Sequence, residues 1–154
     1  MKRSRIYPGV LLALGIAVVA SAQKPVPRRH IQQAPRYAAL GTQLPFSDGV
    51  LVGDTFYLAG QIGLDPKTGK PPQDPQQETR FLLDAIKTTL AQAGMTMDDL
   101  VTVTVYCADL SLYDKFNAVY RTYFTKEFPA RAFIGSGSLL LHARFEMQGI
   151  AVKR

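Results

Sequence analysis

Several residue types are scarce in this sequence, and each scarcity excludes a class of protein or site. The 154 residues include one cysteine, two histidines and no tryptophan. A single cysteine permits no disulfide within the chain, and this cysteine and the two histidines form no spaced cluster that would bind a metal ion. Charged residues make up 19% of the chain and hydrophobic residues 47%. This balance is typical of one folded domain, stabilised by its core or by oligomerisation.

Common catalytic motifs are also missing. The sequence has no glycine-rich phosphate loop, no dinucleotide-binding fingerprint and no nucleophile elbow. His30 lies in a predicted tail and His142 in a predicted loop, and nothing places a serine beside His142, so a Ser-His-Asp triad has no support. Cys107 lies in a valine-rich stretch, which indicates a buried and inert side chain; a reactive thiol is the alternative.

The N-terminus has the pattern of a secretory signal peptide. Three basic residues within the first five positions precede an uncharged apolar run over 10–20 and a small-residue site that ends at Ala22. We therefore predict a signal peptide over 1–22, export to the periplasm or the exterior, and no membrane attachment after cleavage. A membrane anchor is the alternative, but the run is shorter than the ~20 residues of a spanning helix. The proline-containing stretch 23–36 predicts an exposed linker, followed by a domain over 37–154.

The basic character of the chain belongs to its N-terminal part. The formal net charge is +6, yet from Tyr37 onward 11 lysines and arginines stand against 12 acidic residues, a net charge of −1. A nucleic-acid-binding face would require a basic surface on the domain itself. Nucleic acid is therefore not a predicted partner.

Strand signals alternate with helix signals along the domain. Two β-prone runs flank the Gly53-Asp54 turn and predict a hairpin, and 37–43 predicts a further short strand. Alternation over 100–107 predicts a strand whose core-facing residues are Val101, Val103, Val105 and Cys107. Gly60, at the end of the second hairpin strand, indicates either a close approach of a ligand or a plain exit turn.

Two amphipathic helices are predicted. The first runs over 74–93, with Asp74 as the N-cap and Gly94 as the stop. Its apolar stripe consists of Phe81, Leu82, Ala85, Ile86, Leu90 and Ala93. Ser111 is the predicted cap of the second helix, whose apolar face consists of Leu112, Phe116, Val119, Tyr120 and Phe124. The order strand, helix, strand predicts a right-handed crossover.

The last segment predicts a closing hairpin with its turn between Ser138 and Leu139. Antiparallel pairing would place Arg131 directly opposite Glu146 on one face of the sheet. Ala132, Ile134, Phe145 and Met147 would then pack under the helices. The mixed opposite face predicts an oligomer interface lined with sites. The Arg131/Glu146 pair is either a structural salt bridge or an active site, because a guanidinium matches a carboxylate and a carboxylate can activate water.

Six segments also carry a resemblance to a known family. They occur in the family's order and nearly at its spacing: 45–47 (PFS), 60–62 (GQI), 65–69 (DPKTG), 116–120 (FNAVY), 128–131 (FPAR) and 146–152 (EMQGIAV). Over 44–154 the chain resembles the RidA family, also called YjgF. The resemblance implies an α+β, chorismate-mutase-like fold, in which a mixed β-sheet carries two helices on one face. It further implies a homotrimer with an inner barrel and sites between subunits.

The resemblance also implies an activity and roles for individual residues. The activity is cofactor-free and metal-free hydrolysis of reactive enamines and imines, such as 2-aminoacrylate and 2-iminopropanoate, to 2-keto acids and ammonia. Arg131 would bind the substrate carboxylate, and Glu146 would position the water. Gly60 would offer a backbone N–H, and Asn117 would lie near the site.

Three positions depart from the usual family pattern. Phe46 stands where RidA proteins usually have tyrosine, Ala59 where they have serine, and Phe133 where many have cysteine, while 135–138 lacks an acidic residue and a second arginine. Phe46 and Phe133 are therefore expected to line a substrate pocket with fewer hydrogen-bond partners. A non-catalytic trimer that binds small carboxylates or a protein partner is the alternative function.

Overall fold

The computed structural model describes residues 25–32 and 44–154. The signal peptide predicted over 1–22 and the strand predicted over 37–43 lie outside the described residues. The strands are β1 (Arg28–Ile31), β2 (Gly49–Val52), β3 (Thr55–Ile62), β4 (Leu100–Cys107), β5 (Ala130–Gly135) and β6 (Phe145–Val152). The helices are α1 (Pro75–Gln92) and α2 (Tyr113–Tyr120). No helix in these described ranges is both long and apolar enough to cross a membrane.

The strands form one six-stranded mixed sheet in the order β1-β2-β3-β6-β4-β5. Strands β4 and β5 are parallel, and the other neighbouring pairs are antiparallel. Because β3 and β4 are both antiparallel to β6, they are parallel to each other, as the predicted crossover through α1 requires. Strand β6 lies between them. The fold confirms the α+β class with a mixed sheet and two helices.

The predicted linker is partly wrong, because Arg28–Ile31 forms the edge strand β1 on β2. Only Ile31 of this strand reaches the core, at 4% exposure. The strand therefore lacks the alternating apolar pattern by which a sequence indicates a strand. Arg29 Nη1 donates to the carbonyl oxygen of Gln92 at 2.9 Å. This cation therefore caps the C-terminal end of α1, where the helix dipole favours positive charge.

Helix α1 forms as the sequence predicts. The Asp74 carboxylate accepts hydrogen bonds from the backbone N–H groups of Gln76 and Gln77 at 3.1 and 3.2 Å. Gly94 has φ of +75°, the left-handed conformation that ends helices and suits glycine. The buried stripe contains Leu82, Ile86 and Leu90 as predicted, together with Leu83, which the predicted stripe omitted.

Strand β4 differs from its predicted alternation at one residue. Val103, Val105 and Cys107 are buried, but Val101 is 47% exposed. The register between β4 and β6 shifts between Leu100 and Thr102, and this irregularity takes Val101 out of the alternation. Cys107 is the predicted buried thiol, and burial raises its pKa.

The cap predicted for α2 at Ser111 is wrong: Leu112 occupies the N-cap position of α2 without a side-chain capping hydrogen bond, and Asp109 caps the 3-10 turn before it. Asp109 accepts a hydrogen bond from the backbone N–H of Ser111 at 2.9 Å, and the resulting 3-10 turn, Leu110–Leu112, leads into α2. The hydrogen bonds of Ser111 lower the pKa of Asp109. The prediction gave α2 a side-chain cap that it lacks, because it did not include the 3-10 turn that precedes the helix.

The predicted closing hairpin is wrong. Strands β5 and β6 do not pair with each other, because β4 lies between them and pairs with both. Both edges of β6 are occupied, one by β3 and the other by β4, so no edge of β6 is left to pair with β5. Phe145, Met147 and Ala151 then reach the core under the helices.

The predicted facing of β5 is also reversed. Phe133 packs on Phe116 of α2, with ring centroids 5.4 Å apart, so Phe133 and Arg131 point toward the helices. Ala132 and Ile134 point to the opposite side of the sheet. This side, here called the open face, carries exposed or half-exposed side chains from β3, β4, β5 and β6: Tyr57, Thr104, Tyr106, Ile134, Gln148, Ile150 and Val152.

Candidate active site

A shallow cavity of about 220 Å³ lies between α2 and β5. We call it the arginine cleft, and its lining consists of Tyr113, Asn117, Tyr120, Arg121, Phe128, Pro129 and Arg131. The arginine cleft forms at this position because the connection from β4 to the parallel strand β5 runs through α2, which packs over the start of β5.

Arg131 is held in the arginine cleft by neutral groups. Its Nη1 donates to Asn117 Oδ1 at 2.8 Å, and its Nη2 lies 3.5 Å from the Tyr113 hydroxyl. The guanidinium carbon lies 4.7 Å from the centroid of the Tyr120 ring, a cation–π contact. Among the described residues no carboxylate pairs with Arg131. Its charge and remaining N–H donors are therefore left for a ligand.

Two other side chains define the polarity of the arginine cleft. Asn117 is only 5% exposed, so it is a buried partner of Arg131 rather than a solvated side chain. Burial raises the pKa of Tyr120 to about 12, against the opposing effect of the Arg131 charge. The Tyr120 hydroxyl therefore stays protonated at neutral pH, and Arg131 carries the positive charge without an anionic neighbour.

Phe133 supports Arg131 without lining the cavity. Its ring centroid lies 5.5 Å from the guanidinium carbon and 4.9 Å from the Tyr113 ring. The sequence placed Phe133 among the substrate-binding residues; in the protomer it packs behind Arg131.

A second cavity, of about 280 Å³, lies beside β3 and β6. We call it the glutamate cleft, and its lining consists of Leu44, Phe46, Gly60, Ile62, Leu140, Leu141 and Glu146. Three predicted site residues, Phe46, Gly60 and Glu146, therefore come together here. Burial raises the pKa of Glu146. A carboxyl group with a raised pKa can exchange a proton nearer to neutral pH, which suits acid–base catalysis.

Gly60 makes room for the carboxylate. A Cβ atom at Gly60 would lie 2.1 Å from Glu146 Oε1. The register between β3 and β6 shifts between Leu58 and Gln61, so Gly60 lies in an irregularity outside the regular ladder. The sequence allowed two explanations for a glycine at position 60: a close approach of a ligand, or a plain exit turn. Within the protomer, the close approach is that of the Glu146 side chain.

The loop before β6 supplies the apolar wall that the sequence did not predict. Leu141 and His142 have φ of 55° and 58°, left-handed conformations that cost energy for residues other than glycine. His142 is a loop residue, as predicted. The sequence feature that could have indicated this apolar wall is the run Leu139-Leu140-Leu141, three apolar residues within an otherwise polar loop.

Glu78 of α1 fixes the start of β6 and therefore the position of Glu146. Its Oε1 accepts hydrogen bonds from the backbone N–H groups of Arg144 and Phe145 at 2.6 and 3.1 Å, and its Oε2 lies 2.9 Å from Arg144 Nε. Burial raises the pKa of Glu78, opposed by these hydrogen bonds and by the Arg144 charge. Gly63 allows the approach of α1, since a Cβ there would lie 2.1 Å from the Glu78 carbonyl oxygen.

Arg131 and Glu146 lie on opposite faces of the sheet. On β4, the register partner of Arg131 is Val103. The partner of Glu146 is Tyr106, three positions further along. Partners share a face, and residues an odd number of positions apart point to opposite faces. The predicted direct contact is therefore wrong, both as a salt bridge and as a site within one protomer.

Within 25–32 and 44–154, no group of three or more His, Cys, Asp and Glu side chains could hold a metal ion. The protomer is thus a small α+β protein with a guanidinium cleft on the helix side of its sheet and a carboxylate cleft on the open face.

Comparison with known proteins identifies the family. The family model described as Endoribonuclease L-PSP matches residues 36–153, and the chain belongs to this family, the RidA (YjgF) family. An Escherichia coli (strain K12) protein named 2-iminobutanoate/2-iminopropanoate deaminase is 36% identical over 120 residues, which are 76% of this chain and 91% of that protein.

Solved structures agree with this assignment. The crystal structure of the YjgF gene product from E. coli is 33% identical to this chain, with a TM-score of 0.73 over 82% of this chain and 99% of that one. The structure of E. coli TdcF with bound serine is 27% identical, with a TM-score of 0.70 over 86% of this chain and 100% of that one.

Proposed function

We propose that this protein hydrolyses 2-imino acids, and the enamines that tautomerise to them, to 2-keto acids and ammonia without a cofactor. The observation that carries the proposal is the environment of Arg131. Its guanidinium is oriented by Asn117 and by an aromatic ring, and no carboxylate of the described residues neutralises it. A small carboxylate is the ligand that such a fixed fork of N–H donors binds best.

The proposed reaction needs a carboxylate anchor and a positioned water. Arg131 would bind the substrate carboxylate and thereby orient the adjacent C=N carbon. Glu146 would take a proton from water as the water oxygen bonds to that carbon, and the imine nitrogen would gain a proton. Transfer of the carbinolamine's hydroxyl proton to nitrogen through Glu146 would break the C–N bond as the C=O bond forms, and would release ammonia and the 2-keto acid. A carboxyl group with a raised pKa is suited to these transfers.

The two groups would meet between copies of the chain. Since Arg131 and Glu146 lie on opposite faces of one sheet, a single site requires the arginine cleft of one copy and the glutamate cleft of another. A closed ring places the same pair at every interface. We propose the homotrimer that the family resemblance implied, with the exposed apolar side chains of the open face inside it.

The named relatives support this class of substrate. The E. coli relative is named for 2-iminobutanoate and 2-iminopropanoate, and the TdcF structure holds serine; each of these molecules has a carboxylate next to a nitrogen-bearing carbon. We do not extend the ribonuclease of the family description to this chain, because residues 37–154 carry a net charge of −1. A ribonuclease would be expected to present a basic surface to phosphates.

We also propose that the chain is exported after cleavage at Ala22, on the basis of the basic and apolar N-terminal pattern. N-terminal sequencing of the protein from the extracytoplasmic fraction should begin at Gln23. An intact N-terminus in that fraction would contradict cleavage.

The activity is tested with 2-iminopropanoate generated in solution by an amino acid oxidase. We expect Arg131→Ala to reduce kcat/KM by about 100-fold or more, because it removes the only group proposed to bind the substrate carboxylate. Arg131→Lys keeps the charge but loses the planar fork, so it should fall between the wild type and Arg131→Ala. Arg80→Ala removes an exposed arginine from α1, outside both clefts, and should match the wild type.

Equal rates of the wild type and Arg131→Ala would refute the deaminase. Binding of pyruvate or 2-oxobutanoate in a calorimeter, lost in Arg131→Ala and without any turnover of imine, would instead identify a non-catalytic carboxylate-binding protein.

A further inference from the structure

The glutamate cleft presents an apolar wall to Glu146, although Tyr106, the cross-strand partner of Glu146 on β4, is polar. Apart from Glu146 itself and the backbone of Gly60, the glutamate cleft is lined by five apolar side chains: Leu44, Phe46, Ile62, Leu140 and Leu141. Among the described residues, no hydroxyl, amide or basic side chain belongs to this lining. A carboxylate needed only to hold water would be better solvated in a polar cleft, so the apolar wall calls for its own explanation.

The wall is also exposed and held in an unfavourable conformation. Leu140 is 74% exposed and Phe46 is 44% exposed, although both are large apolar residues. Leu141 keeps its left-handed backbone as part of a turn closed by hydrogen bonds from His142 N to Leu139 O and from Ala143 N to Leu140 O. Exposed apolar side chains and local strain at one cavity indicate a binding surface.

The chemistry of the proposed reaction identifies what this surface contacts. The carbon attacked by water has three substituents: the carboxylate, the nitrogen and the substrate side chain. The carboxylate is directed to Arg131, and the water approaches from Glu146. The side chain is attached to the same carbon, so it lies within a few ångströms of Glu146, where the described walls are apolar.

We propose that the glutamate cleft is a subsite for an apolar side chain, and that the preferred substrates are 2-imino acids with branched aliphatic or aromatic side chains. This inference rests on the proposed function. A cavity of ~150 Å³ lined by leucine, isoleucine and phenylalanine is large enough for benzene, and the glutamate cleft measures about 280 Å³. The methyl group of 2-iminopropanoate would leave most of it filled with water.

The substrate preference is measured with imines generated from alanine, leucine and phenylalanine. One methylene group in an apolar pocket changes kcat/KM by about ten-fold or more. We therefore expect kcat/KM for the leucine-derived imine to exceed that for the alanine-derived imine by at least ~10-fold. Comparable values, or a preference for the alanine-derived imine, would overturn the inference while leaving the deaminase intact.

A variant tests whether the glutamate cleft causes this substrate preference. Leu140→Ala truncates an exposed side chain, so it does not threaten the core. We expect it to lower the ratio of kcat/KM for the leucine-derived imine to that for the alanine-derived imine by about five-fold or more. Leu110→Ala is the matched control, because Leu110 is an equally apolar exposed residue, 55% exposed, outside both clefts. An unchanged ratio in Leu140→Ala would overturn the assignment.

Binding measurements separate this inference from the proposed function. If no imine is hydrolysed, calorimetry with pyruvate and 4-methyl-2-oxopentanoate still reports on the subsite. A Kd at least ~10-fold lower for 4-methyl-2-oxopentanoate would support the apolar subsite and refute only catalysis. Equal Kd values would overturn the subsite as well.

Discussion

At the scale of single residues, Arg131 and Glu146, the two residues proposed to act on the substrate, lie in different environments. Neutral partners orient Arg131: the Asn117 oxygen, the Tyr113 hydroxyl and the Tyr120 ring. Glu146 instead lies in an apolar cleft where burial raises its pKa. An internal salt bridge would have neutralised both groups, so their separation on opposite faces is what leaves them free to act on a third molecule.

The raised pKa of Glu146 predicts opposite effects of Glu146→Gln on stability and activity. A carboxyl whose pKa is higher in the folded state contributes its stability below the unfolded-state pKa of ~4.3, and loses it as the pH rises through the folded-state pKa. At pH 7 the ionised Glu146 therefore destabilises the protein. We expect Glu146→Gln to raise the midpoint of thermal unfolding at pH 7 but not below pH 4, and to lower kcat by ~100-fold or more.

Scanning calorimetry at both pH values checks the first effect, and the imine assay checks the second. Glu127→Gln, at an exposed acid outside both clefts, is the control and should change neither quantity. A lower unfolding midpoint for Glu146→Gln at pH 7 would contradict the prediction and would indicate that a cation from another copy pairs with Glu146.

At the scale of elements, the irregularity in β3 controls the position of Glu146. We expect Gly60→Ala to preserve the fold, because the added Cβ would clash with a flexible carboxylate end, Glu146 Oε1 at 2.1 Å, rather than with backbone. The carboxylate must move, and a shift of about 1 Å from the reacting atoms can reduce the rate ~100-fold. The imine assay, with circular dichroism to verify folding, measures the effect.

The matched control is Gly137→Ala, since no heavy atom lies within 4 Å of a Cβ built at Gly137. It should retain the wild-type rate. If Gly60→Ala were as active as Gly137→Ala, Glu146 would not need its present position.

At this scale, the predictions that depend on interactions between residues close in sequence succeeded. The cap at Asp74, the stop at Gly94 and the alternation of β4 depend on interactions within a few residues, and each appeared in the structure, except that Val101 leaves the alternation. The cap predicted at Ser111 was wrong because Asp109, also a good capping type, starts a 3-10 turn before α2, and the N-cap position of α2 itself falls at Leu112. Strand β1 was missed because its stability depends on pairing with β2 and on one buried residue, Ile31.

At the scale of the whole molecule, the opposite facing of Arg131 and Glu146 predicts complementation between inactive variants. Arg131→Ala and Glu146→Gln should each be inactive alone. When the two are co-refolded in equal amounts, an interface that joins the intact Arg131 of one copy to the intact Glu146 of another regains both groups. Random assembly into a ring gives this combination at about a quarter of the interfaces. We expect ~25% of the wild-type activity, measured with the imine assay.

Mixing the folded variants without unfolding is the control, because subunits that do not exchange should remain inactive. Absence of recovery in a co-refolded sample that contains mixed oligomers would show that one copy supplies both groups.

The sequence alone determined the two helices, the β2–β3 hairpin, the buried cysteine and the family. It also identified Arg131 and Glu146 as the candidate site residues. These follow from local capping, from periodicity and from ordered motifs. The tertiary structure decided where those two residues lie. Strand β4 separates β5 from β6, and its alternation directs Arg131 to the helix side and Glu146 to the open face. The choice of strand neighbours depends on the total burial of residues distant in sequence, and a shift by one residue reverses every face.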